Sequence, residues 1–142
     1  MKYQSSEWHE VVKAVSATDR KYKADCMAWT ERWQNVILNC PNGMDKLVDW
    51  ETRIGRVVSV KMIERPSPAY FEDVPIDLRR YLGRFWGDYS CFVRLHKGIW
   101  TAMVAIGSGE YIVDGDIMEV MKKITSIDAF IDLTETVPAT YD

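Results

Sequence analysis

Asp114, Gly115 and Asp116 stand between "YIV" and "IMEVMKKI". Two carboxylates at that spacing could hold a cation or move a proton. A helix–loop–helix calcium site needs ligands at alternating positions, a later glycine and a distal glutamate. Here the glycine separates the acids and a Met-rich helical pattern starts at once. The spacing therefore predicts a strand–helix hinge, with an Asp accepting the free amide hydrogens of the first helical turn. No metal site is expected there. Gly107-Ser108-Gly109 is a lone G-x-G that precedes a strand, whereas a nucleotide loop follows one and opens a helix. It reads as a helix stop, and Ser108 lacks the G-x-S-x-G surroundings of a nucleophile elbow. "HEVVK", His9 to Lys13, has Lys where a zincin helix has its second His. Ser90, Cys91 and His96 offer a nucleophile and a base only if distant positions assemble them, and nothing local supports that.

Composition narrows the field further. The chain has 142 residues, 47% hydrophobic and 27% charged, enough for one core. The net charge is -3 with no basic stripe, so nucleic acid is not an expected partner. Cys26, Cys40 and Cys91 are odd in number and widely spaced, which argues against a disulfide framework and for a reducing, cytoplasmic setting. "MKYQSSEWHE" has no apolar core of a secretory signal. No apolar run approaches the roughly 20 residues that span a bilayer.

The elements that must position any site follow from periodicity. Ser5 or Ser6 can cap a helix carrying Trp8, Val11, Val12 and Val15 on one stripe. Asp19 can cap a second, with Tyr22, Cys26, Trp29 and Trp33 on one face. The period then shortens. "NVILNC" is a strand, "PNG" at Pro41–Gly43 a turn, and "MDKLVDWETRIGRVVSVKMIE" two more strands. Arg65 to Pro75 is mostly loop, and "RYLGRFWG", Arg80 to Gly87, is another strand. Asp88 can cap "YSCFVRLHK", which Gly98 stops; "IWTAMVAI" is a short helix; Tyr111 to Val113 is the last strand. Ile117, Val120, Met121 and Ile124 face one way on the next helix. Ser126 can cap a final one with Ile127, Phe130 and Ile131 inward. Helices, a strand meander, then helices around a late strand define an α+β class.

Seventeen aromatic residues stand out: six Trp, seven Tyr and four Phe. Trp86, Phe92, Trp100, Met103, Met118, Met121 and Phe130 all fall on apolar faces of the second half. Such faces fill a core or line an apolar cavity, and the pattern is the same for both. Methionine, flexible and polarisable, suits a variable apolar ligand.

"YSCFVRLHKGIWTAMVAIGSGEYIVDGDIMEVMK", Tyr89 to Lys122, resembles the sterol-carrier-protein family, the sterol-binding domain of non-specific lipid-transfer proteins. The shared features are an aromatic-led helix ending at Gly98, a short apolar helix with Ala105 before Gly107, and a strand running into Gly115-Asp116 and a helix. "EW" near the start and "VPATY" near the end extend the resemblance to free-standing prokaryotic members. It implies one domain over residues 1–142. The sheet would have about five mostly antiparallel strands with helices on one side, enclosing an apolar tunnel. It also implies non-catalytic binding or carriage of a fatty acyl chain, a sterol-like molecule or a phospholipid, with no cofactor. The seven aromatic and methionine residues would then be the ligand-binding wall. Arg84 and Arg94 become candidates for a carboxylate or phosphate head, since arginine pairs with either in a bidentate way. Transient membrane contact and homo-oligomerisation stay open. Ser108-Gly109-Glu110 departs from a Lys-bearing stretch in the family, Arg65–Pro75 is longer than usual, and Thr140-Tyr141-Asp142 is not a peroxisomal S-K-L address.

Two rival readings remain. The domain could be an interaction module or accessory subunit of a larger enzyme, with its cavity filled by its own side chains. An enzyme acting on an acyl ligand would need a nucleophile and base converging on the pocket.

Overall fold

A computed structural model describes residues 1–142. Ser5 Oγ accepts the Trp8 amide hydrogen and opens α1 (Ser6–Ser16), which buries Trp8, His9 and Val12. Asp19 caps α2 (Arg20–Asp25) through the Tyr22 amide. This second helix does not run on to Trp33. Met27 and Ala28 take positive φ of 57° and 51°, which ends right-handed winding. Trp29 therefore lies in a connecting segment and Trp33 in the first strand, not on one helical face.

Five strands follow: β1 (Arg32–Leu38), β2 (Met44–Arg53), β3 (Arg56–Pro66), β4 (Gly83–Asp88) and β5 (Ile112–Gly115). Their order is β3-β2-β1-β4-β5. β1–β2, β2–β3 and β4–β5 are antiparallel, while β1–β4 is parallel, so the sheet is mixed and mostly antiparallel as expected. Ile54 and Gly55, both at positive φ, close the β2–β3 hairpin; such tight turns match the twist of the strands they join.

The helices α3 (Tyr89–His96), α4 (Ala102–Ser108), α5 (Ile117–Lys122) and α6 (Ile124–Glu135) complete the chain. Two expected caps are different in fact. Asp88 precedes α3, but its carboxylate accepts from Asn39 Nδ2 at 2.9 Å instead of from the helix. Ser126 lies inside α6, and its hydroxyl donates to Cys26 O at 2.9 Å. None of the helices is long and apolar enough to cross a membrane.

Strand alternation sorts the sheet into two faces. Trp33, Ile37, Val48, Trp50 and Phe85 join the main core beneath the helices. Val36, Leu47 and Trp86 face the other way and pack under Phe71, in the crossover between β3 and β4.

Candidate functional site: an aromatic cavity between sheet and helices

Trp33 and Asn35 of β1, Trp50 of β2 and Phe85 of β4 form the floor of a cavity. Trp8 of α1, Phe92 and Leu95 of α3, and Ile127, Phe130, Ile131 and Thr134 of α6 roof it. Tyr3, Gln4, Trp29, Leu82 and Tyr111 close its sides. Of these 16 residues, 13 are hydrophobic and none is charged. The rings interlock. Trp29 stacks on Trp33 with centroids 4.8 Å apart, and Trp33 lies within 11° of parallel to Trp50. Phe130 sits edge-on to both, at 5.0 and 5.1 Å. These contacts narrow the space to about 50 Å³. That holds water-sized groups, but not a whole acyl chain.

Several polar atoms around the cavity are already committed. Tyr3 Oη donates to Phe92 O at 3.0 Å, Trp8 Nε1 to Val137 O at 3.0 Å, and Trp29 Nε1 to Tyr22 Oη at 2.8 Å. His9 Nε2 meets Gln4 Oε1 at 2.7 Å. Burial, with Lys46 nearby, pushes the His9 imidazole down to about 3, so it is neutral and donates to Gln4. Burial also pushes the Tyr3 and Tyr111 phenols far above their ordinary value. The residues that line the cavity are therefore uncharged at neutral pH, and the nearest buried cation, Lys46, is held behind Gln4, donating to its carbonyl at 2.9 Å. Two buried atoms of its floor have no partner: Asn35 Oδ1 and Trp50 Nε1.

No protein-family model matches this chain, and no curated protein does. Solved structures do. A conserved hypothetical protein from Thermus thermophilus, suggested to be a sterol carrier protein, superposes with a TM-score of 0.75 at 12% identity over 100% of this chain and 94% of its own. A sterol carrier protein 2 crystal structure matches with a TM-score of 0.73 at 12% identity, covering 94% of this chain and 98% of its own. The ubiquinone synthesis protein UbiJ matches with a TM-score of 0.54 at 11% identity, covering 96% and 95%. The chain has the sterol-carrier fold.

Within this sterol-carrier fold the expected wall residues separate. Phe92 and Phe130 line the cavity. Trp86 does not: it follows Phe85 in β4 and so turns to the opposite face, beneath Phe71. Met103 and Met118 are 50% and 67% exposed. The buried faces of α4 and α5 are Ala102, Ala105 and Val120, which leaves both methionines to solvent. Met121 is half-buried on α5 and Trp100 half-buried under the Arg94 guanidinium, 4.6 Å from its ring; neither lines the cavity.

The two arginines are also committed elsewhere. Arg84 Nε donates to Gln34 Oε1 at 2.8 Å and Nη2 to Val74 O at 2.7 Å, on the sheet's far face. Arg94 Nη1 pairs with Glu110 Oε2 at 2.9 Å at the surface. Asp116 Oδ1 accepts from the Met118 and Glu119 amides at 3.0 and 3.4 Å, so it caps α5. Gly115 is needed for close approach, since a Cβ there would lie 2.9 Å from Leu82 O. Both His96 nitrogens are bonded, Nε2 to Val137 O at 2.9 Å and Nδ1 to the Tyr141 hydroxyl. Burial pushes the Cys91 thiol up to about 11, so it stays protonated.

Sequence reasoning missed Trp8, Trp29, Trp33, Trp50, Phe85 and Tyr111 as lining residues. Alternation in β1 and β2 carried the signal: Trp33, Asn35 and Ile37 share a face with Val48 and Trp50.

Proposed function

We propose that the protein is a non-catalytic carrier of an apolar ligand, a fatty acyl chain, a sterol-like molecule or a phospholipid. The supporting observation is the uncharged aromatic cavity between sheet and helices in a sterol-carrier fold. Each methylene moved from water into such a space contributes about 0.8 kcal/mol. A chain of ten offers enough to offset the displacement of several rings. The side of the cavity most able to yield is the one closed by Tyr111, next to the arm that runs from α4 to α5. The arm's buried side chains are few and mostly small: Ala102, Ala105, Tyr111 and Val120. On this reading the arm swings outward as the ligand enters and the cavity widens into a tunnel.

The second reading, an accessory subunit, draws on the same rings. Trp29, Trp33, Trp50 and Phe130 already fill most of the interior. Met103, Val104, Ile112 and Met118 are exposed on the arm. Native mass spectrometry of the purified protein, followed by solvent extraction, separates the two. The carrier reading expects a mass increment that disappears on extraction, or, if the protein purifies empty, saturable uptake of an uncharged fluorescent apolar probe. An unshifted mass with no probe uptake would favour the subunit.

A further inference from the structure

We infer that the ligand of this cavity is uncharged and carries a hydroxyl-like group, held between Trp50 Nε1 and Asn35 Oδ1. The inference rests on the proposed reading of the cavity as a ligand site.

Trp50 is 1% exposed, and its indole N–H has no acceptor; Asn35 Oδ1 is buried with no donor. Groups left in this state are uncommon, because a buried polar atom without a partner costs much of its lost hydration. The two are neighbours. The β1–β2 register pairs Trp33 with Trp50 and Asn35 with Val48, which puts Asn35 and Trp50 on one diagonal of one sheet face. Both line the cavity.

The unmet chemistry is specific. An indole N–H only donates and an amide oxygen only accepts. The group that completes both must accept one hydrogen bond and donate another, as a hydroxyl does. A carboxylate or phosphate accepts from the indole but has no hydrogen to give the Asn35 oxygen. Its negative charge would meet the Asn35 oxygen in a space with no cation in its wall, and desolvation would go uncompensated. An ether completes the indole and strands Asn35. The existing space of about 50 Å³ already accommodates a hydroxyl and its nearest carbons. The rest of the ligand must displace rings.

The test uses the full chain and displacement of an uncharged fluorescent apolar probe by decan-1-ol, its methyl ether and decanoate. Decan-1-ol is expected to displace best, by about tenfold over the ether, the factor associated with one good buried hydrogen bond. Trp50→Phe and Asn35→Leu should each weaken decan-1-ol by about tenfold and leave the ether nearly unchanged. Thermal melts accompany the titrations. Asn35→Leu removes an unsatisfied atom and should melt no lower than wild type without ligand, so it serves if Trp50→Phe folds poorly. Equal displacement by alcohol and ether would overturn the inference and assign the pair to a buried water. Best displacement by decanoate would overturn it in favour of an anion. Binding of the probe with no displacement by any decyl compound would overturn it while sparing the carrier reading. Failure of the probe itself to bind would sink both together.

Discussion

On the sheet face turned away from the helices, polar side chains form one chain of hydrogen bonds. Arg32 Nη2 donates to Tyr81 Oη at 2.7 Å, and Tyr81 Oη donates to Asp49 Oδ2 at 2.7 Å. Gln34 Nε2 donates to the same Asp49 oxygen at 2.9 Å, and Arg84 donates to Gln34, Phe71 O and Val74 O. Arg32 Nε alone makes no hydrogen bond there, and it still has the Glu51 carboxylate 4.0 Å away. On the face turned toward the helices, stacked aromatic rings surround a void and leave a buried donor and a buried acceptor unmet, with no charged residue in the lining. Both faces are buried, yet only one is finished. The crossover between β3 and β4 acts as a fitted cover, its carbonyls used by Arg84. The helices act as a roof over chemistry that still lacks a partner. A sheet that pairs its polar groups so nearly completely on one side makes the unmet pair on the other informative about what belongs there.

Predictions can break or sharpen this contrast. The largest effect is expected from Phe130→Ala, which should cost about 3 to 5 kcal/mol in denaturant unfolding. The enlarged apolar void should then accept benzene, so benzene should raise the melting temperature of this variant more than that of wild type. No difference would mean the site collapses and is not a cavity. On the opposite face, Arg84→Met strands three acceptors and should cost about 3 kcal/mol. Uptake of the apolar probe by the folded variant should stay as in wild type, and lost uptake would couple the faces.

His9 sits at the edge of the helix-side cluster, against Trp50. Its folded value of about 3 lies below the ordinary 6.5, so the unfolded chain binds the extra proton between those values. Stability is then complete above about pH 6.5 and falls by about 1.4 kcal/mol per pH unit toward about pH 3. Denaturant midpoints of wild type and His9→Gln should diverge in slope over that range by about one proton; parallel slopes would refute the buried neutral imidazole. The smallest effect is expected at Asp116, which belongs to neither face. Asp116→Ala should lower stability by about 1 kcal/mol and leave probe binding intact.

Much of this was legible from residue order. Capping at Ser5, Asp19 and Asp116, the strand meander and the α+β class all follow from local signals. Face assignment was harder. "RFWG" carries aromatics on both sides of a strand, so alternation says that Phe85 and Trp86 differ without saying which is inward. In α4, Met103, Val104 and Ile106 are as apolar as the buried Ala102 and Ala105, so no polar stripe marks the outside. Small residues took the inside because the helix lies close against its neighbours. Trp29 and Trp33 kept helical spacing by coincidence, and the left-handed residues Met27 and Ala28 that break the helix have no glycine to announce them. The partners of Asn35 and Trp50 could not be read at all, since which buried polar atom is left over depends on three-dimensional neighbours.

Isotope-filtered NMR on the protein with decan-1-ol tests the central claim most directly. Intermolecular contacts from the ligand to the rings of Trp33, Trp50 and Phe130 are predicted, with the hydroxyl end nearest Trp50 Nε1. Contacts confined to the exposed arm, at Met103, Ile112 and Met118, would contradict the account and place the apolar partner outside the fold.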